Sequence, residues 1–260
     1  MRSLAAAVDG LLSAEEVSRR ESPVHSLDAR AKVLATALFV LLVASFPPHA
    51  VLPLVPFLLY PVALAARGGV PPGFLSSRLL VPLPFVLLLV LPAPFLEPAG
   101  TGWLTVASVL LRFALTASAA LVLLATTGVG GVASALGSFG VPRALVTQLL
   151  VLLRYLFVLG EETVRMDRGR RQRSFGRSGL GLVHAGPFLG TLLVRSWDRA
   201  DRVHRAMKAR GFDGSLPDPH PGRAGPREAL FVLGWGALLA LFRLVDVPAL
   251  VGRLAAGGSS

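Results

Sequence analysis

Long apolar runs, broken by proline pairs, glycines or clusters of charge, set the pattern of this chain. The runs are apolar all round rather than on one face, which is what a helix surrounded by lipid requires and a half-wet helix does not. A bilayer core ~30 Å thick is crossed by roughly 20 apolar residues at ~1.5 Å each. Five segments approach that length: 31–46, 51–66, 79–96, 103–127 and 229–250. They are separated by Pro47-Pro48, by Gly68-Gly69, by a turn-rich stretch from Pro98 to Gly102, and by one long basic region. The pattern predicts an all-α polytopic membrane protein with about five transmembrane helices, the first two short.

Between 128 and 228 the periodicity stays helical while the hydrophobicity is broken. The apolar run 141–159 contains Arg143, Gln148 and Arg154, and the run 180–194 contains His184 and Pro187. Both are expected to be helices at or under the cytoplasmic face, because one extra crossing would put a strongly basic segment on the outside. The expected organisation is an N-terminal cytoplasmic segment (1–30), a four-helix membrane region (31–127), a cytoplasmic-side region of coupling helices (128–228), and a last transmembrane helix with a short tail (229–260).

Composition agrees: 53% of residues are hydrophobic and 16% charged, with a mean hydropathy of +0.64, too apolar for a water-soluble globule. The net charge of +11 would suit nucleic acid if it were spread over a soluble domain, but it follows the membrane topology instead. Arg19, Arg20, Arg30 and Lys32 stand before the first run or at its very start, Arg67 and Arg78 between the second and third, and sixteen Lys/Arg against eight Asp/Glu between the fourth and fifth. The alternate loops carry no Lys or Arg. Basic loops stay inside, so the N-terminus and the long fourth connection are expected in the cytoplasm, the C-terminus outside, and the protein in the plasma (inner) membrane. The first 30 residues, with Asp9, Glu15 and Glu16 and no early apolar run, do not resemble a cleaved signal peptide.

Several chemistries have no residues to carry them. The chain has no cysteine, which removes thiolate metal sites and disulfides. Its two lysines, Lys32 and Lys208, stand outside any glycine-rich phosphate loop, so ATP would have to be bound and hydrolysed by partner subunits. His25, His49, His184, His204 and His220 are dispersed rather than spaced as ligands, and no Gly-x-Ser-x-Gly elbow is present. No catalytic residue, cofactor or metal site is expected. Deep inside the long apolar runs stand Arg112 in the fourth and Arg243 and Asp246 in the fifth. The last two, at i and i+3, suit mutual pairing or snorkelling. Arg112 suits packing and orientation within the bundle, with a part in a substrate path as the alternative.

Two similar basic units close the informative region. Residues 161–176 and 198–214 each begin with acids, continue with arginines and end in Arg-small-Phe before glycine, the polarity that a helix macrodipole favours. Gly211 suits the left-handed position after a helix, which would leave Arg210 at the tip. Asp198/Arg202 and Asp201/Arg205 are spaced i, i+4 for ion pairing. A solvated charged helix would look the same on these grounds alone. The run Arg202-Val203-His204-Arg205-Ala206-Met207-Lys208-Ala209-Arg210-Gly211-Phe212 resembles the second Ala-Arg-Gly coupling motif of energy-coupling factor (ECF) transporters, especially CbiQ proteins. Arg171-Gln172-Arg173-Ser174-Phe175-Gly176 resembles the first, with Gln172 and Ser174 where the family often has alanine and glycine. Leu27-Asp28-Ala29-Arg30-Ala31-Lys32 is similar to the family's Leu-Asp-Pro-Arg-x-Lys, with Ala29 in place of proline. Thr126-Thr127, Gly140-Val141-Pro142-Arg143 and Arg154-Tyr155-Leu156-Phe157 follow in the family's order.

The resemblance implies a transmembrane coupling (T) component of the EcfT/CbiQ family. Such a subunit links two ABC-type ATPase subunits to a substrate-capture membrane subunit, with cobalt or nickel as the expected cargo. It also implies that Arg171, Arg173, Ser174, Ala209, Arg210 and Gly211 meet the ATPases, supported by Arg202, Arg205, Met207 and Phe212. The alternatives are a vitamin-type T component and a membrane enzyme that holds an anionic lipid through Arg112 and the cytoplasmic arginines.

Overall fold

The computed structural model describes residues 24–96, 101–173, 182–214 and 225–244, and among these it contains helices and turns but no strand. The helices are α1 (Ala29–Ala44), α2 (Leu59–Arg67, entered through a 3₁₀ segment, Leu52–Leu58), α3 (Pro72–Leu80), α4 (Leu83–Val90), α5 (Ala93–Leu96), α6 (Gly102–Ser138), α7 (Arg143–Arg173), α8 (Leu182–Ala209) and α9 (Pro226–Leu244). They divide into two compact units. One holds the described residues within Glu15–Gly128 and Pro221–Ser260; the other holds those within Val129–His220.

In the first unit the described part of each expected crossing is mainly helical, but proline reshapes two of them. Pro53 and Pro56 lack the N–H that a regular α ladder needs, and the second run begins as a 3₁₀ segment before becoming α2. Pro82 ends α3, so the third run is a bent pair, Pro72–Leu80 with Leu83–Phe95, at 47°. By length and composition two helices suffice to cross a membrane, Gly102–Ser138 and Arg143–Met166, and three if the bent pair is one span. The second of these, in α7, is a run expected to lie at the membrane face.

The core of this unit is aromatic. Phe39 of α1 stacks on Tyr60 with centroids 4.6 Å apart, Phe57 meets Phe46 edge-on at 5.3 Å, and Trp235 of α9 meets Tyr60 at 4.9 Å. Leu115, Ala119, Val122 and Ala125 of α6 and Leu239 of α9 complete the cluster. α1 and α9 pack against each other, and a Cβ at Gly236 of α9 would stand 3.4 Å from Leu38 Cδ2, the close approach through a small residue that membrane helix packing favours. By contrast Val81, Phe85, Leu88, Leu89 and Phe95 of the bent pair are exposed, a surface made for lipid or another apolar partner.

Lys32, Thr36 and Tyr60 form a paired polar group in this core. Lys32 is only 2% exposed, and its Nζ donates to the Thr126 carbonyl at 3.0 Å. Thr36 Oγ1 donates to the Lys32 carbonyl at 2.8 Å, so the Tyr60 hydroxyl, 2.9 Å away, is the donor to Thr36. Thr126 stands two residues before Gly128, whose φ of 69° and ψ of 158° break α6 into two helical halves. Lysine thus meets a carbonyl next to a kink, where the helical ladder is interrupted.

The turn after α1 is held from α6. Thr105 Oγ1 bonds His49 Nδ1 at 3.0 Å, Ser108 Oγ donates to the Ala50 carbonyl at 3.2 Å, and Arg112 Nη2 donates to the carbonyls of Phe46, at 3.1 Å, and Pro47. Arg112 thus ties α6 to this turn, its charge set against the negative end of α1. Arg243 comes to the same end, its guanidinium 4.4 Å above the Phe46 ring and 3.5 Å from the Ser45 carbonyl. Asp246 lies outside the described residues.

In the second unit, the C-terminal half of α6 packs against the start of α7 through small residues. A Cβ at Gly137 would stand 3.2 Å from Val146 Cγ2, and Ala133, Ser134, Ala135 and Thr147 are buried. Gly140, at φ 96°, and Pro142 make the turn between the two helices.

Candidate functional site

The site suggested by the sequence is the pair of helix ends that carry the arginine motifs. α8 ends as its sequence dictates. Gly211 has φ 81°, a conformation that costs any residue with a Cβ and costs glycine nothing. The Phe212 N–H donates back to the Met207 carbonyl and the Gly211 N–H to Lys208, each at 3.0 Å. This pair of reversed bonds is a Schellman cap. It satisfies two carbonyls of the last turn and brings half-buried Phe212 back towards half-buried Met207. Arg210 is left exposed at the helix end, with Ala209 and Gly211 exposed beside it. Further up the helix Arg202 and Arg205 are exposed as well, and Arg205 pairs with Asp201 at 2.6 Å.

α7 carries the first motif. Its backbone is helical through Arg171 and Arg173, which form its last turn, while Ser174 lies outside the described residues. α7 and α8 are joined at mid-helix by Arg195 and Glu162, whose Nη1 and Oε1 are 2.9 Å apart. Leu159, Glu162, Arg195, Asp198, Arg199 and Arg202 line a cleft of about 250 Å³ at this level. From the join, Arg173 is about 17 Å along α7 and Arg210 about 23 Å along α8 at ~1.5 Å per residue. What the structure joins is thus the shafts of the two helices, well away from their tips.

Sequence reading missed the contact between Lys32 and Thr126. Both residues belong to motifs noted above, but they are 94 positions apart, and nothing local in either motif points to the other. Among the described residues no group of three or more His, Cys, Asp or Glu is placed to hold a metal ion.

A model of the family described as "CbiQ: Cobalt transport protein" matches residues 20–221. The chain belongs to the CbiQ cobalt transport protein family. The match covers both arginine-tipped helices, Lys32 and Thr126, and stops before α9. This CbiQ-family chain is also similar to two proteins of Methanocaldococcus jannaschii. One, the uncharacterized protein MJ1571, is 24% identical over 254 residues, covering 89% of this chain and 86% of the relative. The other, the uncharacterized protein MJ1089, is 30% identical over 77 residues, covering 29% and 28%. Family membership and the apolar helices together make the chain a membrane component of a transport system.

Proposed function

We propose that this chain is the transmembrane coupling subunit of an ATP-driven ECF-type importer. It links two ABC-type ATPase subunits, through the tips of α7 and α8, to a substrate-capture membrane subunit, and the imported cargo is cobalt or nickel. The observation that carries this reading is the capped end of α8. In a chain of the CbiQ family, the Schellman turn at Gly211 holds an exposed guanidinium at the end of a rigid helix. An arginine there offers a planar fork of donors to a carboxylate or a carbonyl groove on a partner. Rigid helices pinned to each other at Glu162–Arg195 can carry a partner's movement as a rigid-body displacement. In this reading the helix tips face the cytoplasm, where the ATPases reside, in keeping with the basic loops.

The test is co-purification of the ATPase subunits together with metal uptake by whole cells. Replacing Arg173 and Arg210 together by glutamate should abolish both while leaving the protein inserted, because truncating one member of a buried charged contact costs ~2–5 kcal/mol. Arg227→Gln, a change at an exposed position in the first turn of α9, should cost under ~1 kcal/mol. Wild-type co-purification and uptake in the double variant would refute the coupling role. Uptake of a vitamin rather than of cobalt or nickel would retain the coupling role and change the cargo.

A further inference from the structure

Glu162 of α7 faces more than one arginine of α8. Its carboxylate is paired with Arg195, the glutamate side chain 16% exposed and the arginine 59%. The cleft at this join is lined from α8 by Arg195, Asp198, Arg199 and Arg202, and from α7 by Leu159 and Glu162. At ~3.6 residues per turn the three arginines fall within an arc of about 60°. They form a ladder along one face of α8, Arg199 standing about 6 Å and Arg202 about 10 Å beyond Arg195 at ~1.5 Å per residue. Among the described residues, Glu162 is the one acid that α7 brings to this cleft.

One carboxylate before a ladder of guanidiniums has more than one place to rest. Changing partner costs little, because a partly exposed ion pair contributes little in either place, and the cleft of about 250 Å³ leaves the side chains room to change over. Asp198 makes the places discrete. It stands between Arg195 and Arg199 along the axis, and a second carboxylate there repels Glu162 as it passes. Asp198 and Arg202 are also spaced i, i+4, so the charge of Arg202 is offset within α8. Arg195 and Arg199 are left as the two partners open to Glu162.

We propose that Glu162 is a two-position latch, paired with Arg195 as in this structure, or with Arg199 once α8 has moved about one turn, ~6 Å, along α7. A step of one helical turn is the size at which packed helices exchange one set of contacts for another. Each helix stays rigid and the join holds in both positions; what changes is the register between them. The proposal uses α7 and α8 alone and does not depend on the coupling role. Within that role, the step moves the tip of α8 by one turn relative to the tip of α7.

The chain has no cysteine, so spin labels can be placed by Gln148→Cys on α7 and His204→Cys on α8, both exposed and outside the ladder. The distance between the labels is read by pulsed electron paramagnetic resonance on the full chain in lipid nanodiscs. Two charge exchanges fix the register. Glu162→Arg with Arg195→Glu restores the pair in the present position, and Glu162→Arg with Arg199→Glu makes it one turn further on. The two exchanged chains should give distinct distances, several ångström apart, the first matching the main distance of the labelled parent. The same distance in both would show a join with one position and overturn the proposal. Arg195→Gln gives an independent measurement with a single substitution. It removes the present partner and leaves Arg199, so the distribution should move to the second distance. A distribution like the parent's, or one that broadens with no second distance, would also overturn the proposal.

Discussion

Lys32 shows how much one side chain can decide inside a membrane unit. Its ammonium is buried and donates to the Thr126 carbonyl. Lys32→Met keeps the apolar stem but leaves the carbonyl facing a methyl group, a loss of ~1–3 kcal/mol for a buried acceptor without its partner. The purified variant should unfold at a lower temperature than the parent when followed by intrinsic fluorescence in detergent. An unchanged midpoint would mean that the kink beside Gly128 is held by its backbone alone. A guanidinium in an apolar run needs acceptors, and Arg112 Nη2 has two in the turn after α1, contacts of the kind the packing role expects. Lys32 was legible only as part of a motif. Its partner is distant in sequence, and a single chain contains no signal that relates the two.

At the scale of the helix, local chemistry explains both what was foreseen and what was not. The end of α8 follows from Gly211 itself, since the left-handed turn has one natural occupant. Gly211→Ala puts a Cβ into that conformation at a cost of ~1–2 kcal/mol and should unwind the last turn rather than accept the strain. Arg210 would then lose its fixed direction. In the coupling reading the variant should retain less ATPase than the parent, while circular dichroism shows nearly the same total helix; full retention would mean that the cap does not orient the arginine. The bend after α3 and the 3₁₀ start of the second run were not foreseen in detail, because hydrophobicity averages over prolines that the backbone cannot ignore. The continuation of α6 past Thr127 to Ser138 was also missed. The apolar run ends at Thr127 while helical periodicity continues beyond it; the chain kinks at Gly128 and helix resumes at once, with Ala133, Ala135 and Gly137 closely packed in the second unit.

For the whole molecule, the open contest is over α7. Its segment Arg143–Met166 is long and apolar enough to cross a membrane, which would carry the connection after α7 to the opposite side from the turn at Gly140. Its surface argues otherwise. Leu145, Leu152 and Leu156 share one exposed stripe, while exposed Arg154 lies on the far side of the helix with Glu161, Arg165 and Arg168. A helix surrounded by lipid would have to bury Arg154 in hydrocarbon, at ~2.5–3.5 kcal/mol near the bilayer centre; a helix lying in the interface leaves it in water and keeps its leucines in lipid. Reporters fused after Gly69, Gly140, Gly179 and Pro219 should therefore all read cytoplasmic, and one after Gly100 should read external. The decisive pair is Gly140 and Gly179. If they report opposite sides, α7 is a span, its arginine tip and that of α8 no longer share a compartment by the charge argument, and a pair of ATPases could not engage both. If they report the same side, both tips are available together, as a coupling subunit for two ATPases requires.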